Sequence, residues 1–186
     1  ASQANYAYLS KSMLERGLGY DWNIYAPDWE RAVAAAYCAP ATRDPARCAF
    51  SGGVNSIDDA YYQSRALRDD NLYSLDADLK LGESAGLKLL AYHHDNRGQG
   101  HWWAPGQPSH PGTDREIPIS IRSTNYTINR QGLTAALTWN LGIHELEAGL
   151  WYEKNDHNVE RNFYYIDGPF LDDTYLNHPD RRLFDQ

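Results

Sequence analysis

Leu133-Thr134-Ala135-Ala136-Leu137-Thr138-Trp139-Asn140-Leu141-Gly142-Ile143-His144-Glu145-Leu146-Glu147-Ala148-Gly149-Leu150-Trp151-Tyr152-Glu153 is the stretch that decides the fold. Ahead of Gly142, Leu133, Ala135, Leu137, Trp139 and Leu141 fall at alternate positions, with Thr134, Ala136, Thr138 and Asn140 between them. Beyond Ile143, Leu146, Ala148, Leu150 and Tyr152 alternate with Glu145, Glu147, Trp151 and Glu153. A period of two is the signature of strands with unlike faces. Gly142-Ile143 joins the two strands as a tight turn.

The same pattern flanks Gly82-Glu83-Ser84-Ala85-Gly86. Tyr73, Leu75, Ala77, Leu79 and Leu81 lead into it on one face, against Ser74, Asp76, Asp78 and Lys80 on the other; Leu87, Leu89 and Ala91 leave it opposite Lys88, Leu90 and Tyr92. Leu133 to Leu141 at ~3.3 Å per residue, tilted as in a barrel, covers a band of roughly 25 Å, the apolar height of an outer-membrane barrel. Four strands thus begin an apolar band beside a short turn, and their other ends run on as polar, aromatic-rich segments. Short turns on one side and long extensions on the other are the sidedness of such a barrel, with turns in the periplasm and loops outside.

The expected fold is therefore all-β: an antiparallel up-and-down meander forming part of a transmembrane β-barrel wall, with long extracellular loops and one short loop helix. Residues 1–9 read as a strand end and 10–57 as a long extracellular loop holding a helix over 28–37. Residues 58–96 read as a hairpin, 97–116 as a Gly/Pro-rich extracellular loop, 117–166 as a second hairpin and 167–186 as a loop. Asp28 suits the helix N-cap, the alanines of Trp29-Glu30-Arg31-Ala32-Val33-Ala34-Ala35-Ala36-Tyr37 favour the helix, and Pro40 stops it.

Composition narrows the function. The 186 residues include 14 Tyr and 6 Trp, and the formal charge is -8 with no Lys/Arg cluster to offset it, which argues against a nucleic-acid partner. Mean hydropathy is -0.69, and no run has the length of a membrane helix; barrel strands escape that test because only alternate residues face lipid. Cys38 and Cys48, ten residues apart in a Pro/Ala/Arg-rich stretch, are expected to pair in an oxidising compartment. No basic n-region or apolar h-region opens the chain, and its strands are too few to close a barrel, so a middle piece of a longer chain is expected.

His101-Trp102-Trp103 is the sharpest binding signal, with Arg97 as a further polar partner. Two adjacent tryptophans in a loop either stack on a sugar or planar ligand or pack the loop itself against Tyr61, Tyr62 or the Trp29 helix. The carboxylate pairs Glu145/Glu147 and Asp76/Asp78 fit a wet face better than acid–base catalysis. His93 and His94 point to opposite faces and cannot share an ion. Asp58-Asp59, Asp69-Asp70 and Asp172-Asp173 lack the spacing of a calcium loop. No phosphate loop or nucleophile elbow occurs. No enzyme activity, metal or cofactor is expected.

The runs from Thr124-Asn125-Tyr126-Thr127-Ile128-Asn129-Arg130-Gln131-Gly132-Leu133 on to Trp139, and from Gly149-Leu150-Trp151-Tyr152-Glu153-Lys154-Asn155-Asp156-His157-Asn158 on to Tyr164, resemble the barrel of TonB-dependent receptors of Gram-negative outer membranes. So do Leu67-Arg68-Asp69-Asp70-Asn71-Leu72-Tyr73 and Tyr92-His93-His94-Asp95-Asn96-Arg97-Gly98-Gln99-Gly100-His101-Trp102-Trp103. The likeness covers most of 58–166. It implies a plugged barrel of about 22 strands, residence in the outer membrane, and import of a siderophore, cobalamin, haem or saccharide. It also implies contact with the lipid bilayer and with the TonB complex, the latter through parts this sequence lacks. The chain carries no plug-like region and no energy-coupling box, and alone it is expected to transport nothing. A soluble β-sandwich carbohydrate-binding module, with Trp102 and Trp103 as its platform, is the alternative; an intact small barrel is disfavoured by strand count.

Overall fold

A computed structural model of the chain describes residues 2–5, 15, 28–58, 60, 62–170 and 174–185. Residues 6–9 of the expected strand end, much of 10–27, and Asp59, Tyr61, Asp172 and Asp173 lie outside the described residues. Among the described residues the fold is all-β, with the short helix Trp29–Ala36. Strands β1 (Ser2–Asn5), β2 (Ser64–Lys80), β3 (Ala85–Ser109), β4 (Ile117–Leu141), β5 (His144–Tyr164) and β6 (Arg181–Asp185) form one sheet in chain order. β1 pairs antiparallel with β2 from Ser2 opposite Arg68 to Asn5 opposite Arg65. β6 pairs antiparallel with β5 between Glu160 and Phe163, with a register shift after Arg161. Helix α1 (Trp29–Ala36) lies between β1 and β2 in the chain.

The two tight turns form where the sequence places them. Gly142 has φ of +71°, and Ile143 is not among the positive-φ residues, as a type II′ hairpin with glycine at its first central position requires. In the other turn Gly82 has φ of +96°, and the Leu81 N–H donates to the Ala85 carbonyl at 2.8 Å.

The stretch 97–116 departs from expectation. Instead of a loop, β3 continues to Ser109 and the connection shrinks to His110–Glu116. A Cβ on Gly106 would stand 2.9 Å from the Ala39 Cβ, and the Trp103 N–H donates to the Gln63 carbonyl at 3.1 Å. Backbone pairing and packing here override the breaker composition. Likewise 58–96 becomes strand only from Ser64, and the tail 167–186 is not all loop, since it ends in β6.

Contacts divide the chain into two compact units. The first comprises Ala1–Arg68, Gly98–Asn125 and Val159–Gln186 and holds the core. The Asp28 carboxylate accepts from the Arg31 N–H at 3.1 Å and caps α1. Ala32, Ala35 and Ala36 of the helix are fully buried against Val54, Ala60, Tyr62, Trp103 and Ile119. The helix ends at Tyr37, three residues short of Pro40, and the Thr42 hydroxyl donates to the Ala36 carbonyl at 2.7 Å, satisfying one of the acceptors a helix end leaves open. Cys38 and Cys48 form a disulfide with Cα atoms 4.8 Å apart. Closing a loop of that length contributes about 2–3 kcal/mol. Arg47 stacks 3.9 Å from the Tyr37 ring centre and binds Asp44, whose carboxyl it holds below the ordinary range.

The second unit comprises Asp69–Arg97 and Tyr126–Asn158, the two hairpins around the tight turns. It has no buried core. Many of its large apolar side chains stand open, among them Ile143 at 94% exposed, Leu75 at 74% and Leu137 at 39%, while Leu87, Leu89 and Leu90 are half-buried.

Candidate ligand-facing surface

Strand alternation sorts the hairpin unit into two faces, and contacts confirm the sorting. The Thr138 hydroxyl donates to the Gly86 carbonyl at 3.3 Å, so Thr138 and Gly86 share the polar face. On that face a Cβ at Gly132 would lie 2.7 Å from Tyr92 Cε1 and nearer still to the ring's Cζ and hydroxyl. Gly132 is therefore the gap through which the Tyr92 ring of β3 crosses β4 to reach β5. There the Tyr92 hydroxyl donates to the Glu153 carboxylate and accepts from the Trp151 Nε1–H at 3.2 Å. One phenol thus ties three strands together and fixes the indole of Trp151, which is still 64% exposed.

A second cluster lies further along the same face. Arg130 donates from Nε to His94 Nδ1 at 2.8 Å, and His94 Nε2 lies 2.5 Å from Asp70 Oδ1. Because Nδ1 accepts, the ring proton sits on Nε2 and is given to Asp70. Between these groups, Leu72, Ser74, Asp76, Leu90, Tyr92 and Arg130 line a depression of about 410 Å³.

The opposite face carries the apolar band. Tyr73, Leu75, Leu79, Leu81, Leu133, Leu137, Trp139, Leu141, Leu146, Leu150 and Tyr152 are all exposed, and with them belong Ala77, Ala135 and Ala148. Away from the turns the band stops abruptly. Its next positions are Asn71, His93, Gln131 and Lys154, followed by Asp69, Asp95, Asn129 and Asp156. Arg97 is part of this charged border, donating to Asp69 at 3.0 and 3.2 Å, and Asn129 donates to Asp95 at 2.6 Å. His93 bonds Asp95 at 2.7 Å on this face while His94 serves the other, as the sequence predicts. Among the described residues no group of three or more His, Cys, Asp or Glu is placed to hold a metal.

His101, Trp102 and Trp103 belong to the core unit and Arg97 to the hairpin unit. Trp103 is 2% exposed, edge-on to Tyr62 at 6.2 Å, and Tyr62 in turn meets Trp29 at 5.5 Å. That is the packing alternative, with Tyr62 and the Trp29 helix as the partners. The same burial pushes the Tyr62 phenol up. Trp102 is partly buried under the guanidinium of Arg122 at 4.9 Å. His101 is 1% exposed, edge-on to Phe170 and bonded through Nε2 to Gln99 Oε1 at 2.5 Å. The Gln99 amide also pairs with both backbone groups of Leu176, at 3.0 and 2.6 Å, pinning the connection before β6.

The Tyr92–Glu153–Trp151 bridge escaped the sequence analysis. A glycine inside a strand, Gly132, was the available signal, since it often marks a close approach of another group. No family model, curated protein or solved structure matches this chain.

Proposed function

We propose that this chain is a length of barrel wall from an outer-membrane TonB-dependent receptor, which as a whole imports a scarce ligand such as a siderophore, cobalamin, haem or saccharide. The observation that carries this is the open apolar band: β2, β4 and β5 present exposed large side chains at alternate positions, with the half-buried Leu87 and Leu89 of β3 on the same face, beginning beside tight turns and ending at a polar and charged border. A band of that height and sharp edge matches a hydrocarbon layer. A soluble β-sandwich would bury the same face under a second sheet, whereas these side chains stand 39–74% exposed. The receptor family itself rests on the resemblance of the strand sequences.

In cells that make the protein natively, single cysteines at Leu137 and Thr138 test the wall. Thr138→Cys is expected in the outer-membrane fraction and reactive toward a water-soluble maleimide, and Leu137→Cys is expected to react only with a lipid-soluble one. Equal reaction of both with the water-soluble reagent would rule out a lipid-facing band. Loss of ligand uptake on removal of the TonB complex tests the receptor assignment separately.

A further inference from the structure

Of the tryptophans described, Trp103 is buried, Trp29 and Trp102 are partly buried in the core unit, and Trp139 lies in the apolar band. Trp151 alone among them is open on the polar face, and its ring does not hang free: Tyr92 holds Nε1, and Glu153 holds Tyr92. An exposed indole fixed by its own N–H presents a rigid apolar surface at low entropic cost to a ligand. The phenol that fixes it also lines the adjoining depression, where Asp76, Ser74 and Arg130 bring a carboxylate, a hydroxyl and a guanidinium beside Leu72 and Leu90. The Arg130 side chain is itself oriented through its Nε–H on His94.

We propose that Trp151, Tyr92 and this depression form a saccharide subsite. A pyranose ring has an apolar C–H face and a rim of hydroxyls. The aromatic platform takes the face, Asp76 and Ser74 accept from hydroxyls, and Arg130 donates to ring or hydroxyl oxygens. The inference rests on the proposed function in one respect, that the polar face is the water-filled side of the wall, and it selects the saccharide from the ligand classes named there. A flat anionic ligand is less suited, because Asp76, Glu153 and Asp70 outnumber Arg130 around the platform.

The test uses the full native protein in detergent, titrated by calorimetry with linear hexaoses of glucose, mannose, galactose, xylose and N-acetylglucosamine. At least one is expected to bind. Trp151→Ala is expected to weaken that binding by about three- to tenfold, the worth of a stacking contact, while Trp151→Tyr retains most of it. Tyr92→Phe, which frees the indole but keeps every ring, is expected to give an intermediate loss. Failure of all five sugars to bind, or equal binding by wild type and Trp151→Ala, would overturn the subsite. Burial of Trp151 under another segment of the protein would overturn it too, and would appear as no fall in acrylamide quenching from wild type to Trp151→Phe. Quenching of Trp139 by brominated lipid, in the same protein reconstituted in vesicles, reports on the wall independently of any sugar.

Discussion

Replacing Gly132 by alanine asks whether the missing side chain is the reason that β3, β4 and β5 are bridged. The new Cβ would meet the far end of the Tyr92 ring, so the ring swings aside and the backbone stays put. The cost is then the two hydrogen bonds that Tyr92 makes. A hydroxyl on a carboxylate contributes about 1.5–3 kcal/mol and an indole N–H on a hydroxyl about 0.5–1.5 kcal/mol. Trp151 is mostly in solvent, which places both at the low end, about 2 kcal/mol together. Alanine returns about 0.5–1 kcal/mol by restricting the unfolded chain more than glycine does. The expected net loss is about 1–1.5 kcal/mol in equilibrium guanidinium unfolding of the micelle-bound protein. A double-mutant cycle isolates the cause. With Tyr92→Phe already in place the hydrogen bonds are gone, so adding Gly132→Ala should cost nothing or stabilise slightly. Equal destabilisation in both backgrounds would refute the account and point to the β4 backbone.

Leu137→Arg should destabilise the membrane-inserted protein by about 2–4 kcal/mol, whereas Thr138→Arg one residue on should cost far less; similar costs in refolding titrations into vesicles would contradict a lipid-facing band. Trp103→Ala should cost about 3–5 kcal/mol, as for other buried aromatics, and raise hydrogen exchange throughout α1, while Trp102→Ala should leave α1 protected. Asp167 is held below its ordinary value of 3.8 chiefly by the Arg115 guanidinium. A depressed carboxyl contributes stability that is present above its unfolded value and lost as pH falls through the folded one. Exchange in the His110–Glu116 connection, corrected for its intrinsic pH dependence, should therefore hold steady down to about pH 4 and quicken below it, and Asp167→Asn should remove that step.

Strands with one apolar face announce themselves at every second residue, so the hairpins around Gly82 and Gly142 were legible from local pattern alone. The Asp28 cap and the Cys38–Cys48 bridge were legible because both depend on residues close in sequence. The continuation of β3 through Gly98-Gln99-Gly100 was not. Its glycines and prolines carry the composition of a loop, and what keeps them extended is nonlocal: the Gln63 carbonyl on Trp103 and the Ala39 methyl against Gly106. For the pair Trp102-Trp103 the sequence leaves ligand stacking and local packing both open, and it could not choose because the core that takes one ring is assembled from α1, Tyr62 and Ile119, scattered along some ninety positions. Conversely Trp151 looked unremarkable within its strand, because the partners that fix it, Tyr92 and Gly132, come from two other strands.

If the sheet is the proposed barrel wall, its edges bear on how it would reach a membrane. β1 covers β2 only from Arg65 to Arg68, and β6 covers β5 only from Glu160 to Phe163. On the outer sides of residues 69–80 and 144–159 the described residues supply no ladder partner. These are the very stretches that carry the apolar band. In water such edges are hydrated at little cost, but each bare amide or carbonyl in hydrocarbon costs several kcal/mol. Entry into lipid one hairpin at a time would thus meet a barrier that rises with every strand added and falls only when the last edges meet. Insertion and closure become a single event, and until it occurs the long open edges invite pairing with any other extended chain, so a nascent wall of this kind depends on being chaperoned to the bilayer.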